Sequence, residues 1–281
     1  MEDDVARGLI DAYYERGEER ERLVVSATGR LEFERTAEIV SRWLPAPPAL
    51  VADIGGGPGR YALWLAGRGY QVEHRDLMPL HVRQVTESAE RAGSAGSNGA
   101  IRSRVGDARN LDLADASADA VLLLGPLYHL PSRAGRVAAL AEARRVVRPG
   151  GPVFAAAISR WAPRLDGLLR SRLYASYPGM IDLVPALERS GWMGPVHEGS
   201  FTAFCHRPDQ LRGELRSAGL QVADLVCVEG AAYLLGDLDA RQADPREWQI
   251  VLDCSRVTER VPELLGIGPH LLATGIRPAD S

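Results

Sequence analysis

Four glycines, Gly55, Gly56, Gly57 and Gly59, crowd the few residues that follow the apolar run Leu50–Ile54. In VADIGGGPGRYALWL the run before them reads as a short buried strand broken only by Asp53, and Pro58–Ala66 reads as a helix opening straight from the glycines. Each glycine in regular structure costs about 1 kcal/mol relative to alanine. One would suffice for a tight turn, so the cluster points to a backbone that a ligand approaches closely. A strand–turn–helix of this kind belongs in an open α/β sheet, where ligands sit beyond the carboxyl ends of the strands.

The rest of the chain keeps that rhythm. Tyr70–Arg75 reads as a second strand ending at Asp76, and Pro79 suits the first turn of a helix that fades into the Gly/Ser loop at 92–100. Ile101–Val105 is a third strand, and Ala120–Leu124 a fourth, apolar throughout as in a parallel sheet covered on both faces. Ser132 caps a helix to about Val147, and RPGG breaks it before the strand Pro152–Ile158. Pro208–Ala218 and Asp244–Arg260 read as helices, Leu220–Val228 and His270–Ile276 as the last strands. The expected fold is α/β: a doubly wound, Rossmann-like, seven-stranded and mostly parallel sheet. Residues 1–48 read as a helical lid, ended by Pro45, Pro47 and Pro48. Residues 160–206 interrupt the alternation with an aromatic-rich insertion, read as a cap within one domain spanning 1–281, with 49–159 as the cofactor-binding core and 207–281 completing it.

Composition narrows the setting. Of the 281 residues 46% are hydrophobic and 25% charged, ordinary for a globular protein. No apolar run approaches the roughly 20 residues that span a bilayer. The N-terminus MEDDVARGLI is acidic where a secretion signal is basic, so a cytoplasmic protein is expected. All basic side chains of the Lys+Arg count are arginine, which, with abundant Ala, Gly and Pro, reads as the bias of a GC-rich bacterial genome. A net charge of −4 argues against nucleic-acid binding. Cys205, Cys227 and Cys254 read as reduced core thiols, and no His/Asp/Glu cluster has metal-ligand spacing, so metal-independent chemistry is expected.

Nicotinamide and flavin enzymes use G-x-G-x-x-G, with a pyrophosphate on the helix N-terminus. Here the spacing is G-x-G-x-G, and Asp53 precedes the first glycine by two positions. A carboxylate there disfavours phosphate and suits a cationic group such as an amino acid's ammonium. At this point the chain resembles the class I S-adenosylmethionine-dependent methyltransferases. The glycine loop from Asp53 to Gly59 matches the family's cradle for the methionine part of the cofactor. Asp76, nineteen residues after Gly57, matches the acidic residue that accepts both ribose hydroxyls, and Gly106-Asp107-Ala108 matches the adenine-binding element. The resemblance thus implies S-adenosyl-L-methionine as cofactor, held by Asp53, Gly55, Gly57, Gly59, Asp76, Leu77, Asp107, Ala108 and Leu124. Arg35 is added as a clamp for the cofactor carboxylate, unless it serves a solvated helix face within LEFERT; Arg30 is a weaker version of the same idea. GPLYHL at 125–130, RLEFERT at 30–36 and FTAFCHRP at 201–208 are similar to small bacterial methyltransferases often found with specialised-metabolite pathways.

In such a fold the loop after the fourth strand faces the reactive methyl. His129 in that loop is the first candidate for general base, because a neutral imidazole takes a proton near pH 7; the alternative is a histidine bonded to a loop carbonyl. Tyr128 packs against acceptor or cofactor in this reading. GPLY departs from the N/D-P-P-Y signature of base and amide N-methyltransferases, which weakens those acceptors. Tyr14 is a further catalytic candidate and, with Tyr13, either a lid over the methyl or an amphipathic-face pair. Tyr13, Tyr177, Trp192, Phe201 and His206, with His197 beside them, are the expected acceptor wall. Aromatic walls suit a planar, electron-rich small molecule, such as an indole or phenol methylated on carbon, nitrogen or oxygen. The competing readings are a nucleic-acid methyltransferase, for which no basic module is visible, and a cofactor-binding protein of the same fold that cyclises, isomerises or regulates. A homodimer is the candidate assembly.

Overall fold

The computed structural model describes residues 7–10, 13, 14, 19, 22–94, 100–195 and 200–279. Ser26 accepts a hydrogen bond from Gly29 N at 3.0 Å and so caps α1 (Ala27–Ser41). The chain then alternates β1 (Leu50–Ile54), α2 (Arg60–Ala66), β2 (Gln71–Asp76), α3 (Pro79–Ser94), β3 (Ile101–Val105) and β4 (Ala120–Leu123). The short helix α4 (Pro126–His129) follows β4 at once. Ser132 caps α5 (Arg133–Val146), which leads to β5 (Pro152–Ser159).

Strands β3, β2, β1, β4 and β5 lie side by side and parallel in that order. Beyond β5 come two antiparallel pairings: β9 (His270–Ile276) runs against β5 from Pro152↔Ile276 to Ile158↔His270, and β8 (Gln221–Cys227) runs against β9. These seven strands form the mostly parallel sheet expected from the sequence, and two further short strands bring it to nine. The inner strand β4 is apolar on both faces because both are covered, whereas β3 at the sheet edge is largely exposed. Val121 and Leu123 of β4 pack towards α5 and α8 (Pro208–Ser217), while Ala120 and Leu122 pack with residues of α1 and α2.

The interruption at 160–206 holds more regular structure than its irregular pattern suggested. Helices α6 (Ala162–Leu169) and α7 (Met180–Ser190) lead to a two-stranded ribbon, β6 (Trp192–Met193) and β7 (Ala203–His206). The last two residues of β5 pair in parallel with β7, Ile158↔Cys205 and Ser159↔His206. These two strands were missed because β6 is two residues long and β7 is buried on both sides, so neither shows alternation. The ribbon reaches back to the loop after β4: Tyr128 packs against the cluster of Leu187, Ala203 and Cys205. Helix α9 (Pro245–Thr258) precedes β9. Cys205 and Cys227 are buried, but Cys254 is exposed on α9, so the expectation of three core thiols holds for two. No helix among the described residues is long and apolar enough to cross a membrane.

Candidate active site

The carboxyl ends of β1, β2, β3 and β4 converge on one cavity, lined there by Gly55–Gly57, Asp76, Leu77, Asp107, Ala108 and Leu124. Gly57 has φ +57°, and a Cβ built on it would meet nothing within 4 Å, so this glycine opens its backbone onto empty space. Gly59 answers a different need. Its φ is +84°, and a Cβ would come 2.5 Å from Val85 on α3, so it lets two helices approach and does not line the cavity. The expectation of Gly59 as a ligand contact is corrected accordingly.

Asp76 is the hinge of the cofactor end. Its Oδ2 accepts from Gly57 N at 2.8 Å, and its Oδ1 accepts from Met78 N at 2.8 Å and lies 3.0 Å from His81 Nδ1. Burial would raise this carboxyl, but the bonds from His81, Met78 and Gly57 outweigh it and hold it below the usual range. Asp107 lines the cavity while gripping Arg109 through Nη2 at 2.7 Å. Asp53, expected to meet a cationic group, does not reach the cavity. It is fully buried, with Oδ2 2.5 Å from where Gly56 would carry a Cβ, and neither oxygen has a partner among the described residues. Burial first, and the nearby Asp76 charge second, push its carboxyl up to about 7.

The middle of the cavity holds the aromatic candidates. Tyr14 Oη and His129 Nε2 are 2.8 Å apart, and both residues line the cavity with Tyr128. Burial lowers the His129 imidazole to about 4, so it is neutral at pH 7 but does not titrate near neutrality as the sequence reading expected. Its Nδ1 is buried without a partner among the described residues. The loop-carbonyl alternative is therefore not what the structure has. Tyr13 and Phe201, expected in the acceptor wall, stand behind this lining: Tyr13 stacks edge-on against Tyr14 and Phe201, at 5.1 and 5.3 Å between ring centroids, and Phe201 lies 5.7 Å from the His129 ring, but neither lines the cavity itself.

Other expected acceptor contacts lie elsewhere. His206 is fully buried away from the cavity, its Nε2 3.1 Å from Glu214, which also binds Arg136. Trp192 sits in register opposite Phe204 on the ribbon, and Tyr177 is exposed on the insertion; neither lines the cavity. Arg35 is no cofactor clamp. Its guanidinium is buried against Glu259 and Glu38 and donates from Nε to Val228 O, which pins α1 to the strand edge. Arg30 pairs with Glu34 and lies over the Trp248 ring. His197 falls outside the described residues.

The third region of the cavity was invisible to sequence reasoning. Arg22, Glu32 and His270 line it, drawn from the segment before α1, from α1 itself and from the start of β9. Arg22 donates to Glu32 from Nη1 at 2.6 Å and to Glu19 from Nε at 2.7 Å. His270 Nδ1 is 2.5 Å from Glu229, a carboxylate 1% exposed. One oxygen each of Glu32 and Glu229 and a ring nitrogen of His270 fall within 4.8 Å of one another. Such a trio is also a donor set for a divalent ion, which the spacing of these residues along the chain did not foreshadow.

Residues 52–155 match the family model described as a methyltransferase domain. This stretch runs from β1 through β5 and contains the glycine loop, Asp76, Asp107 and His129. Over these residues the chain carries a methyltransferase domain. Over 124 residues it is 35% identical to the ubiquinone/menaquinone biosynthesis C-methyltransferase UbiE of Acidiphilium cryptum, covering 44% of this chain and 47% of that protein. Over 148 residues it is 29% identical to the O-methyltransferase resE of Aspergillus sclerotiorum, covering 52% of each. The chain spans about half the length of the curated relatives it matches. A solved S-adenosylmethionine-dependent methyltransferase from Methanosarcina mazei superposes with a TM-score of 0.59 at 18% identity, covering 86% of this chain and 98% of the other. At that identity the likeness concerns the fold.

The cavity suits S-adenosylmethionine, the cofactor that the glycine loop and Asp76 imply: Gly57 leaves open space, and the Asp76 carboxylate and a His81 Nε2 without a partner among the described residues face the same region. Asp76 Oδ2 keeps a lone pair for a ribose hydroxyl besides its bond to Gly57.

Proposed function

We propose that this protein transfers a methyl group from S-adenosylmethionine to a small aromatic acceptor of indole or phenol type. The observation that carries the reading is one continuous cavity. It runs from Gly57 and Asp76 past the hydrogen-bonded pair Tyr14–His129 to the polar trio Arg22, Glu32 and His270. Tyr14 and Tyr128 give its middle flat walls that suit a planar ring.

S-adenosylmethionine supplies a methyl group already activated for in-line displacement. The chain's own residues then have three tasks: to align the acceptor, to exclude water and to take its proton. Asp76, Leu77, Asp107, Ala108 and the glycine loop would hold the cofactor, with Leu124 at the wall between the two ligands. For an acceptor O–H or indole N–H, Tyr14 Oη receives the released proton as its own passes to His129 Nε2 along the 2.8 Å bond. The neutral imidazole has the lone pair this requires. For attack by a ring carbon the same pair takes the proton lost after the methyl has moved.

The relatives named as C- and O-methyltransferases support methyl transfer to carbon or oxygen as the chemistry. The reading includes a specialised-metabolite role in a bacterium, and the arginine-only basic composition supports a GC-rich source. Incubation with methyl-labelled cofactor and a panel of indoles and phenols tests it. Label should appear in at least one aromatic product, and transfer to none of them would overturn the aromatic-acceptor reading.

A further inference from the structure

The polar region of the cavity carries charges in alternation: Glu19, Arg22, Glu32, His270, Glu229. Arg22 spends three of its five N–H donors, Nε on Glu19 and one each from Nη1 and Nη2 on the two oxygens of Glu32. Glu229 is turned towards His270 at both oxygens, one facing His270 Nδ1 and the other accepting from His270 N. What this region offers a ligand is one free lone pair on each Glu32 oxygen, the two remaining N–H groups of Arg22 and the Nε2–H of His270. Burial opposes the charge on His270, yet Glu229 and Glu32 hold its imidazole protonated, up to about 9. Among the described residues no hydrogen bond joins Glu32 to His270, although their polar atoms lie within 4.8 Å. The same cavity contains His81, 3% exposed, whose Nε2 has no partner among the described residues, a second sign of polar space that awaits a ligand.

We propose that the gap between Glu32 and His270 is an anchoring site for a hydroxyl group, so that the acceptor is a hydroxylated aromatic compound. The inference rests on the aromatic-acceptor reading and deepens it. A single oxygen about 2.8 Å from each partner spans such a gap. A hydroxyl both donates and accepts, which is what a carboxylate facing an imidazolium N–H demands. An indole N–H only donates and would leave the His270 donor unanswered; an acceptor carboxylate only accepts and would face Glu32 with like charge. Leaving one buried partner unmatched discriminates strongly between ligands.

The matched probes are 5-hydroxyindole and indole, titrated calorimetrically into protein loaded with S-adenosylhomocysteine. The hydroxylated probe should bind at least tenfold more tightly. Glu32→Gln and His270→Asn should each abolish that preference while leaving S-adenosylhomocysteine affinity within about twofold. Because Glu32→Gln leaves Arg22 less compensated and risks misfolding, nitrogen-15 NMR of the wild-type His270 ring gives an independent reading. Its Nε2 resonance should shift with 5-hydroxyindole and not with indole. Equal binding of the two probes, no binding of either, or a preference that survives both substitutions overturns the anchor. So does tight calorimetric binding of Zn2+ alone that His270→Asn removes, which would make the trio a metal site. The labelled-methyl panel judges the methyl-transfer reading separately, so an anchor that fails while label is transferred leaves that reading standing.

Discussion

The Tyr14 hydroxyl and the His129 imidazole meet at 2.8 Å although 115 residues separate them. Tyr14 lies in the segment before α1 and His129 ends the short helix after β4. Their rings stand nearly perpendicular, at 81°, and His81 approaches Tyr14 from the other side at 5.2 Å between centroids. Burial raises the Tyr14 hydroxyl well above its ordinary pKa, so the phenol stays protonated.

A relay makes the two residues one unit. Tyr14→Phe should lower kcat by roughly 10²–10³, and His129→Ala by a similar factor. The double variant should be little worse than either, a non-additivity that steady-state kinetics on all three would measure. Cofactor affinity should stay within about threefold throughout. Multiplicative losses would separate the two residues mechanistically.

The pH dependence follows from burial of His129. Its imidazole is held near 4 in the folded protein against 6.5 unfolded, so the proton-accepting form is present at any pH above about 4. The rate limb governed by His129 should therefore lie near pH 4, with no limb near neutrality assignable to it. Folding is linked in the same direction: the folded state binds fewer protons than the unfolded one between 4 and 6.5, so this contribution to stability is lost as pH falls through that window. His129→Gln should flatten that part of a melting-temperature profile.

Asp53 titrates in the opposite sense. Its folded carboxyl lies at about 7 against 3.8, so the unfolded chain releases this proton first and stability falls as pH rises from about 4 to 7. Asp53→Asn removes the cost of burying an unpartnered carboxylate. Thermal unfolding should show a rise in melting temperature that is larger at pH 8 than at pH 5. Because the side chain sits behind Gly56, S-adenosylmethionine affinity should change by less than about threefold.

Two glycines of one loop should fail differently. Gly59→Ala meets Val85 at 2.5 Å in a left-handed conformation, and should destabilise the fold by about 2 kcal/mol or more by denaturant titration. Gly57→Ala meets no neighbour, so its cost in stability should stay near the 1–2 kcal/mol of the left-handed backbone alone. Its methyl group enters the cavity, and calorimetry should show S-adenosylmethionine binding weakened at least tenfold. Normal cofactor binding by Gly57→Ala would remove this glycine from the site.

What the sequence determined by itself is local in origin. Apolar runs of strand length ended by glycine or aspartate, followed by capped helices, specify a parallel sheet wound on both faces, because a strand covered twice must be apolar throughout. The ends of those strands carry Gly57, Asp76 and Asp107, so the cofactor end of the cavity was legible from residue order. Tertiary structure alone decided the rest. Arg35 and His206 look like free functional groups in a string of letters, but Arg35 is buried in an ion pair with Glu259, and His206 is buried against Glu214 with its imidazole held below the ordinary pKa. Glu32 and His270 lie 238 positions apart and share no periodicity, yet α1 and the start of β9 bring their polar atoms within 4.8 Å. Hydrophobic periodicity records which face of an element is buried; it holds no information on which polar side chains two distant elements bring to one cavity.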